Sequence, residues 1–398
     1  MTVTTISQPE TSEEVSEKRF VEFLNRGENP YDYERMLLKR HFPRIQAILQ
    51  GKSPPPYELE IQPSAKCDIN CKHCFGRDCP KLQGKIEKKE IDKLAEDMQD
   101  FEQDDFKIET VKFCGTTGEP LVNKYTAYAI EVFSEIGTKI RMFTNGMGIT
   151  RTNHLGISNL ESILKINHLN LSLDAGKDET IKRIKGNNAD YNQIMNGLER
   201  ISVLRKNKKP ALVVSYVITQ DNYFDVERAT HDAKNAGADV IRFKIDLTAQ
   251  SEITSLSEQI IEILQRAKEH ESEDFKVISI HSDEEIQGKN PGIFGERTGE
   301  SRCYTSYLWG CVGPDFQLYP CGHSCHGASE PYGNLHEQTL KEIWKSRKAK
   351  ERRENLPCEG CNFCPPFGSR TNDFMTFLSA SPLEKIKELH EEYIENRK

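Results

Sequence analysis

Residues 57–76, which read YELEIQPSAKCDINCKHCFG, decide the fold. Apolar and polar residues alternate at the start of this stretch, and the alternation predicts a β-strand over residues 57–64. Three cysteines, Cys67, Cys71 and Cys74, come directly after it. The thiols are therefore expected at the carboxyl end of a strand, which is the end at which α/β barrels carry their chemistry.

Further runs of β-branched and apolar residues follow, and amphipathic helices are predicted between them. The six runs are 57–64, 110–115, 139–146, 168–175, 211–219 and 240–246. Strands that alternate with helices form parallel sheets, because the crossover between two parallel strands is right-handed. The pattern predicts an α/β fold, built as an open sheet or as a partial (β/α)6, TIM-like barrel with the cysteines at its mouth.

The chain divides into segments of different character. We expect five parts: an N-terminal tail with helices (1–56), the barrel (57–250), a helix and linker (251–302), a small cysteine-rich domain (303–367) and a C-terminal helix (368–398). Pro43 is expected to interrupt the N-terminal helix. Ser381 and Pro382 are residue types that suit an N-cap and a first helical position, so we expect the last helix to begin there.

Composition and charge exclude several classes of protein. The 398 residues are 36% hydrophobic and contain no apolar run of about 18 residues, so we expect no membrane span. The N-terminus lacks the basic start and apolar stretch of a secretion signal, which predicts a cytoplasmic protein. A net charge of −8 argues against nucleic acid as a partner. The basic run 345–353 is expected to be a solvated helix face.

The chain has 12 cysteines, and in the reducing cytoplasm clustered cysteines indicate metal binding or catalysis more than disulfides. Thiolates are soft ligands that suit zinc or iron–sulfur clusters. A zinc site on Cys67, Cys71 and Cys74 would need Cys79 as its fourth ligand, and this spacing is unusual for zinc. A cubane cluster has four irons, so three cysteines leave one iron open to a small molecule.

The sequences at the carboxyl ends of the following strands favour an iron–sulfur cluster over a zinc site. Phe75 follows the third cysteine, the second strand ends in CGTTGEP (114–120), and the next two end in FTNG (143–146) and LSLDAG (171–176). A CxxxCxxC loop after the first strand, followed by these strand ends in this order, resembles the radical SAM superfamily. CGTTGEP is similar to the Gly-Gly-Glu-Pro motif of that superfamily, with Thr117 in the place of its first glycine.

The resemblance implies a specific chemistry. Cys67, Cys71 and Cys74 would ligate a [4Fe–4S] cluster whose open iron binds S-adenosylmethionine (SAM). The residues implied in cofactor binding are Phe75, Gly118, Glu119, Asn145, Ser172 and Ser215. Gly118 and Glu119 would hold the methionine amino group. One electron from a donor such as flavodoxin or ferredoxin would split SAM and give a 5′-deoxyadenosyl radical, which abstracts hydrogen from a substrate carbon.

A second cysteine-rich segment spans residues 303–364. It contains a cysteine, a hairpin that ends in Tyr-Pro-Cys, then Gly-Asn-Leu, a helix with a tryptophan, and closing cysteines. This order resembles the SPASM or twitch extension of radical SAM enzymes, although Phe316 stands where the family usually has glycine and the last gaps are shorter. The resemblance implies an auxiliary cluster. We expect one [4Fe–4S] cluster on Cys303, Cys321 and two of Cys358, Cys361 and Cys364.

Two auxiliary clusters, or a zinc ribbon on the same residues, are the alternatives for this segment. Two of its cysteines, Cys311 and Cys325, are left over from the single-cluster arrangement. A thiol S–H bond is weak enough to give a hydrogen atom to a substrate radical, so both are candidate catalytic residues. Each has a second interpretation, as a cluster ligand or as an inert buried thiol.

Enzymes with this two-part organisation, as the resemblance implies, fall mostly into two groups. One modifies ribosomally made peptides by epimerisation, oxidation or crosslinking, and the other oxidises sugars or cyclitols in antibiotic biosynthesis. The length of the chain, its N-terminal helices and its many cysteines favour a precursor peptide over a small-molecule substrate. A zinc-stabilised interaction protein without SAM chemistry is the alternative outside enzymes, and the Gly-Glu-Pro strand end argues against it.

Overall fold

A single ten-stranded sheet organises the protein. The computed structural model describes residues 33–116, 118–152, 156–289, 302–327, 329–356 and 366–382, together with residues 364, 384, 386, 387, 390 and 391. The strands are β1 Glu58–Ile61, β2 Thr110–Phe113, β3 Lys139–Thr144, β4 His168–Ser172, β5 Ala211–Ile218, β6 Val240–Ile245, β7 Lys276–Ser279, β8 Trp309–Val312, β9 Gln317–Tyr319 and β10 Gly333–Asn334. Their order across the sheet is β10-β9-β8-β1-β2-β3-β4-β5-β6-β7.

The parallel part of the sheet confirms the predicted fold class. Strands β1 to β6 each fall within the corresponding predicted run, and each pairs in parallel with the next. β7 continues the parallel order beside β6. Within the described residues the edges of the sheet are β7 and β10, and no hydrogen bonds between strands close the barrel, so it is partial there.

Helices lie between the strands and cover one face of the sheet. In chain order they are α1 Tyr33–Leu49, α2 Lys88–Asp100, α3 Thr126–Glu135, α4 Asn159–Ile163, α5 Asp178–Lys185, α6 Tyr191–Leu204, α7 Val226–Asn235, α8 Gln250–Ser255, α9 Ser257–Lys268, α10 Asp283–Ile286, α11 Thr305–Leu308, α12 Leu340–Lys345, α13 Arg347–Glu354 and α14 Pro366–Ala380. α2 begins with a capping box between Glu87 and Glu90 and buries Ile91, Leu94 and Met98, as its apolar spacing predicts.

The opposite face of the sheet is polar. On β4, Leu169 and Leu171 belong to the apolar core, so the alternate residues point to the other face. We call this face the lumen. The polar side chains that line it are Glu58, Glu60, Lys112, Arg141, His168, Asn170, Ser172, Ser215, Arg242 and Lys244.

The sheet curves around the lumen. In a flat sheet, four spacings of about 4.8 Å would place β2 roughly 19 Å from β6. Burial and repulsion nevertheless lower the pKa of Lys244 on β6 to about 8, and part of the repulsion comes from Lys112 on β2. Side chains from distant strands therefore meet inside the barrel.

The cysteine-rich segment contributes three strands to the same sheet. β8 runs parallel to β1 and places Cys311 opposite Glu60, and β9 returns antiparallel to β8. Phe316, in the turn between them, has φ 55°, a left-handed conformation that glycine adopts most easily. Its ring is buried, so packing compensates for the residue that replaces the family's usual glycine.

A second apolar core joins α1 to α14. α1 departs from helical geometry at His41, two residues before Pro43, as expected from the missing N–H of proline. α14 lies largely within the C-terminal helical part expected over residues 368–398, and Phe374, Met375 and Leu378 form its buried face against α1. The N–H of Ser381 donates to the carbonyl of Leu378 at 3.1 Å, so Ser381 closes α14. Beyond Ser381, residues 384, 386, 387, 390 and 391 are helical, and the N–H of Ile386 donates to the carbonyl of Pro382 at 3.1 Å, so a helix follows Ser381 as expected.

The basic run 345–353 is only partly solvated. Lys348 and Arg347 are exposed, but Arg353 is buried. The Arg353 guanidinium donates to the carbonyl of Trp344 at 2.9 Å and lies 4.2 Å from the centre of the Trp344 ring. Such a cation–π contact is stronger when it is removed from water. Among the described residues, no helix combines the length and the apolar character that crossing a bilayer requires.

Candidate active site at the carboxyl ends of the strands

The loop that carries the first three cysteines, residues 66–75, is held by backbone hydrogen bonds on both sides. The N–H groups of Asn70 and Lys72 donate to the carbonyls of Lys185 and Ile184 at 2.9 and 2.8 Å. We call this segment the cysteine loop. Its N-terminal side accepts a bond of 2.9 Å at the carbonyl of Lys66 from the N–H of Glu119. The loop is thus fixed between the end of α5 and the segment after β2.

The three thiols of the cysteine loop are accessible to a ligand. Cys67 is exposed, and Cys71 and Cys74 are half-buried. Partial burial raises the pKa of Cys67 to about 11 and that of Cys71 to about 12, so a cluster would have to displace their protons. Three soft donors on one loop fit an iron–sulfur cluster. Within the described residues, no group of three or more His, Cys, Asp or Glu side chains converges as a site for a metal ion.

Gly118 is needed because two backbone segments approach closely. A Cβ atom at this position would lie 1.8 Å from the carbonyl oxygen of Ser64 and 3.2 Å from that of Lys66. Gly115 is equally confined, since a Cβ there would lie 2.1 Å from the carbonyl oxygen of Gly118. The glycines of the CGTTGEP segment therefore let it pack directly on the chain that leads into the cysteine loop.

The carboxylate of Glu119 is buried and fully oriented. It accepts hydrogen bonds from the Thr144 hydroxyl at 2.6 Å and from the N–H groups of Asn145 and Leu121 at 2.8 and 3.1 Å. Burial, together with the nearby charge of Asp68, raises the pKa of Glu119 to about 7 despite these donors. A cationic ligand would compensate for this desolvation, which fits the amino group of SAM.

Asn145 connects the third strand to the cysteine loop. Its side-chain amide donates to the carboxylate of Asp68 at 2.7 Å and lies 3.8 Å from the sulfur of Cys67. Its side-chain carbonyl accepts from the N–H of Met147 at 2.9 Å. Asn145 is thus both a turn residue and a neighbour of the first thiol.

Three residues that the sequence analysis did not select lie together at the cysteine loop: His73 within it, and Asp174 and Lys185 beside it. Lys185 donates to the carboxylate of Asp174 at 2.8 Å, and the ring of His73 lies 3.4 Å from the same carboxylate. Burial alone would lower the pKa of Lys185, but Asp174 and the neighbouring Cys71 outweigh it and raise this pKa. A buried cation beside Cys71 can balance the charge of a thiolate.

Two of these residues, His73 and Asp174, belong to motifs that can be read in the sequence. His73 lies inside the CxxxCxxC motif, and Asp174 belongs to the LSLDAG strand end. The sequence analysis used both as marks of a family and gave neither a role. The ion pair itself depends on the position of α5, which no local pattern reveals.

The three remaining predicted cofactor residues lie around the mouth of the lumen. Ser172 and Ser215 are opposite each other on β4 and β5, and the Ser215 hydroxyl accepts from Arg242 at 3.0 Å. The Ser172 carbonyl accepts from Lys185 at 2.5 Å. The Phe75 ring meets the ring of His323, with centroids 4.9 Å apart, so it joins the cysteine loop to the C-terminal segment.

The predicted ligands of the auxiliary cluster are described in part. Cys303 is buried and Cys321 half-buried, and they are close enough for Cys303 to raise the pKa of Cys321, after burial as the main cause. Cys364 is half-buried. Cys358 and Cys361 lie outside the described residues, so the full ligand set remains a prediction.

The structure brings Cys311 and Cys325 together. Both thiols are fully buried and hydrogen-bond to each other, and burial raises both pKa values. The sulfur of Cys311 lies 3.9 Å from the carboxylate of Glu60 in the lumen. The two candidate hydrogen donors therefore form a pair at the boundary between the barrel and the C-terminal hairpin.

Comparisons with solved structures agree with the fold described above. The chain is similar to Streptococcus suis SuiB bound to precursor peptide SuiA (16% identity, TM-score 0.55, 89% of this chain and 82% of that one) and to SuiB bound to S-adenosylmethionine (16%, 0.56, 88% and 81%). It is also similar to anSMEcpe with bound AdoMet and Cp18Cys peptide (14%, 0.52, 85% and 99%). No curated protein matches the chain.

Two separate segments of the sequence match known protein families. Residues 61–233 match the radical SAM superfamily, and residues 303–365 match SPASM, an iron–sulfur cluster-binding domain. These matches imply [4Fe–4S] clusters and SAM as cofactors, and the exposed or half-buried thiols and the oriented carboxylate described above fit them. The chain therefore belongs to the radical SAM superfamily and carries a C-terminal SPASM domain.

Proposed function

We propose that this enzyme modifies a ribosomally made precursor peptide, by epimerisation, oxidation or crosslinking. The radical chemistry is supported by the position of the cysteine loop, which is fixed between Glu119 and Lys185 at the mouth of the lumen. The peptide substrate is supported by two structural neighbours. SuiB is bound to a precursor peptide and anSMEcpe to a Cp18Cys peptide, and each likeness extends over at least 85% of this chain.

The chain's own residues prepare the site. When bound, a reduced [4Fe–4S] cluster and SAM supply a 5′-deoxyadenosyl radical that removes hydrogen from a substrate carbon. Cys67, Cys71 and Cys74 would hold the cluster, and Lys185 would offset the negative charge of the thiolates. Glu119 would accept hydrogen bonds from the amino group of SAM. Because Thr144 and backbone N–H groups already orient its carboxylate, this contact requires little reorganisation.

The second cysteine region would decide the fate of the substrate radical. One auxiliary [4Fe–4S] cluster on Cys303, Cys321 and two of the closing cysteines would accept the second electron if the substrate is oxidised. Epimerisation would instead use the thiol of Cys311 or Cys325. The S–H bond breaks and a C–H bond forms on the other face of the carbon. One electron from a flavodoxin or ferredoxin in the cytoplasm and one proton from solvent then restore the thiol.

A stepwise experiment tests this function. The protein is reconstituted anaerobically with iron and sulfide, reduced, and incubated with SAM and a synthetic precursor peptide. We expect 5′-deoxyadenosine together with a changed peptide. A mass two units lower indicates oxidation or crosslinking, and one solvent deuterium on an α-carbon indicates epimerisation. Absence of 5′-deoxyadenosine would refute the radical chemistry, whereas its formation without any peptide product would refute only the peptide substrate.

A further inference from the structure

The charges in the deeper part of the lumen are mostly paired. Lys112 on β2 donates to Glu60 on β1 at 2.6 Å, and Arg141 on β3 donates to Glu58 at 2.9 Å. Burial alone would raise the pKa of Glu60, but Lys112 outweighs it and lowers this pKa, so the pair is ionised. Paired charges of this kind explain how a polar interior is tolerated.

Strand β6 adds positive charge that these acids do not balance. Lys244 lies near the carboxyl end of β6, half-buried in the lumen, and it forms no ion pair with any described residue. The carboxylate that attracts it most, Asp174, is already bound to Lys185. Arg242, two residues earlier on the same face, repels Lys244. An uncompensated cation in an enclosed site is costly and is characteristic of binding sites.

A buried amide in the same lumen also lacks partners. The side chain of Asn170 on β4 is fully buried, and within the described residues neither its amide nitrogen nor its oxygen has a hydrogen-bond partner. An unsatisfied buried polar group costs about 1–3 kcal/mol, so nearly all such groups in proteins are bonded to something. Asn170 faces the lumen one row below Ser172 and Ser215, and therefore points to a polar ligand.

Lys244 and Lys185 have different electrostatic neighbours, although both are attracted by Asp174. The groups that shift the pKa of Lys244, after burial, are Arg242, Asp174, Cys114 and Lys112, and none of them is a cysteine of the loop. Lys185, by contrast, is affected by Cys71 and Cys67. The chain therefore has one buried cation at the predicted cluster, Lys185, and a second, Lys244, on β6.

We infer that the β6 side of the lumen binds a carboxylate of the substrate, with Lys244 and Arg242 as the cationic contacts and Asn170 as a hydrogen-bonding contact below them. The inference rests on the proposed function, because for a peptide the carboxylate belongs to an Asp or Glu side chain or to the C-terminus. Binding the carboxylate would neutralise the unbalanced charge of Lys244. It would also position the neighbouring peptide carbon at the mouth of the lumen, where SAM is expected.

Equilibrium binding to the reconstituted protein with SAM tests the inference. The probes are three pentapeptides: Ac-AAEAA-NH2, Ac-AAQAA-NH2 and Ac-AAQAA with a free C-terminus. We expect the first or the third probe to bind at least about tenfold more tightly than the capped glutamine peptide, which corresponds to one lost charge-assisted contact. The first probe reports a side-chain carboxylate and the third a C-terminal one.

Two variants complete the test. Lys244→Met should abolish the preference for the charged probes and leave SAM affinity unchanged, whereas Lys341→Met, at an exposed position on α12, should change neither. Equal binding of all three probes to the unmodified protein would overturn the inference. So would a Lys244→Met variant that keeps the preference but loses SAM affinity, because Lys244 would then serve SAM.

Binding of small carboxylates distinguishes a failure of the carboxylate site from a failure of the proposed function. Succinate and succinamide are titrated under the same conditions. If succinate binds, Lys244→Met abolishes that binding, and no peptide binds, the carboxylate site is supported and the peptide substrate is refuted. If peptides bind and are modified without regard to their charge, the proposed function stands and the carboxylate site is refuted.

Discussion

The two cysteine regions of this protein present their sulfur atoms in opposite ways. The cysteine loop, residues 66–75, lies on the surface between strand ends, with Cys67 exposed and its backbone fixed by hydrogen bonds. In the C-terminal region, Cys303, Cys311 and Cys325 are buried, and Cys311 is part of a strand. A loop on a rigid scaffold can offer ligands without contributing to the core. The buried cysteines belong to the core, so their chemistry and the fold depend on each other.

The largest expected difference concerns SAM cleavage. Cys71→Ala should lower 5′-deoxyadenosine formation by about a thousandfold or more, because two remaining thiols no longer hold the catalytic cluster. Cys321→Ala should leave this cleavage within about tenfold and reduce the iron content by one auxiliary cluster. Iron analysis and 5′-deoxyadenosine assays after anaerobic reconstitution measure both effects. Equal loss of cleavage in the two variants would show that the regions are not separate in function.

The fate of the substrate radical should depend on the thiols of Cys311 and Cys325. If the peptide is epimerised, Cys311→Ala or Cys325→Ala should abolish the epimer while SAM is still cleaved, because the buried thiol pair is the proposed hydrogen donor. The measurement is deuterium incorporation from solvent into the peptide, with 5′-deoxyadenosine as the internal control. Cys114→Ala, in a half-buried position after β2, is the matched control and should epimerise normally. Normal epimer formation in both test variants would refute the role of the pair.

Glu119 should make SAM binding depend on pH. Burial raises its pKa to about 7, so below pH 7 the free protein binds a proton there and loses the carboxylate that would meet the amino group. SAM affinity should therefore fall as the pH is lowered from 8 to 6. Glu119→Gln should weaken binding by roughly 10- to 100-fold and abolish this dependence. Calorimetric titration with SAM at several pH values checks both statements, and a Gln variant with the original pH profile would contradict them.

Two glycine substitutions should have smaller effects, and they should distinguish a steric clash of the added Cβ atom from backbone strain. Gly118→Ala should destabilise the protein by about 2–4 kcal/mol, because the new Cβ would lie against the Ser64 carbonyl, which cannot move without the cysteine loop. Gly137→Ala is the control. Its φ of +80° costs about 1 kcal/mol, but no atom lies within 4 Å of the added Cβ. Urea unfolding gives both values, and iron retention should fall only in Gly118→Ala.

The smallest expected effect is a gain in stability. The pKa of Lys244 is lowered from 10.5 to about 8, chiefly by burial, so folding disfavours its charged form. This cost is fully present below pH 8 and disappears as the pH rises towards 10.5. Lys244→Met should therefore stabilise the protein by about 1 kcal/mol at pH 7, after allowance for water in the lumen, and by less at pH 9. Urea unfolding at both pH values tests the sign, and a destabilised variant would contradict it.

Local patterns were sufficient to predict most of the fold. The six parallel strands and the cysteines at their carboxyl ends follow from alternation and strand spacing, which are properties of neighbouring residues. The ion pair between Lys185 and Asp174, the contact of Cys311 with Cys325, and the unbalanced charge of Lys244 could not be predicted, because each depends on how neighbouring elements pack, which no local pattern reveals. The packing of α14 on α1 could not be predicted either, because the two helices lie in distant parts of the chain.

The pairing of β8 with β1 has a consequence for synthesis on the ribosome. Glu60 and its neighbour across the sheet, Cys311, are separated by 251 positions in the chain. At about 5–20 residues per second, the edge of β1 stays uncovered for roughly 12–50 s after it is made. An open strand edge is prone to pair with other chains. The interval between these two strands is therefore when a newly made chain is most vulnerable to aggregation and most in need of a chaperone.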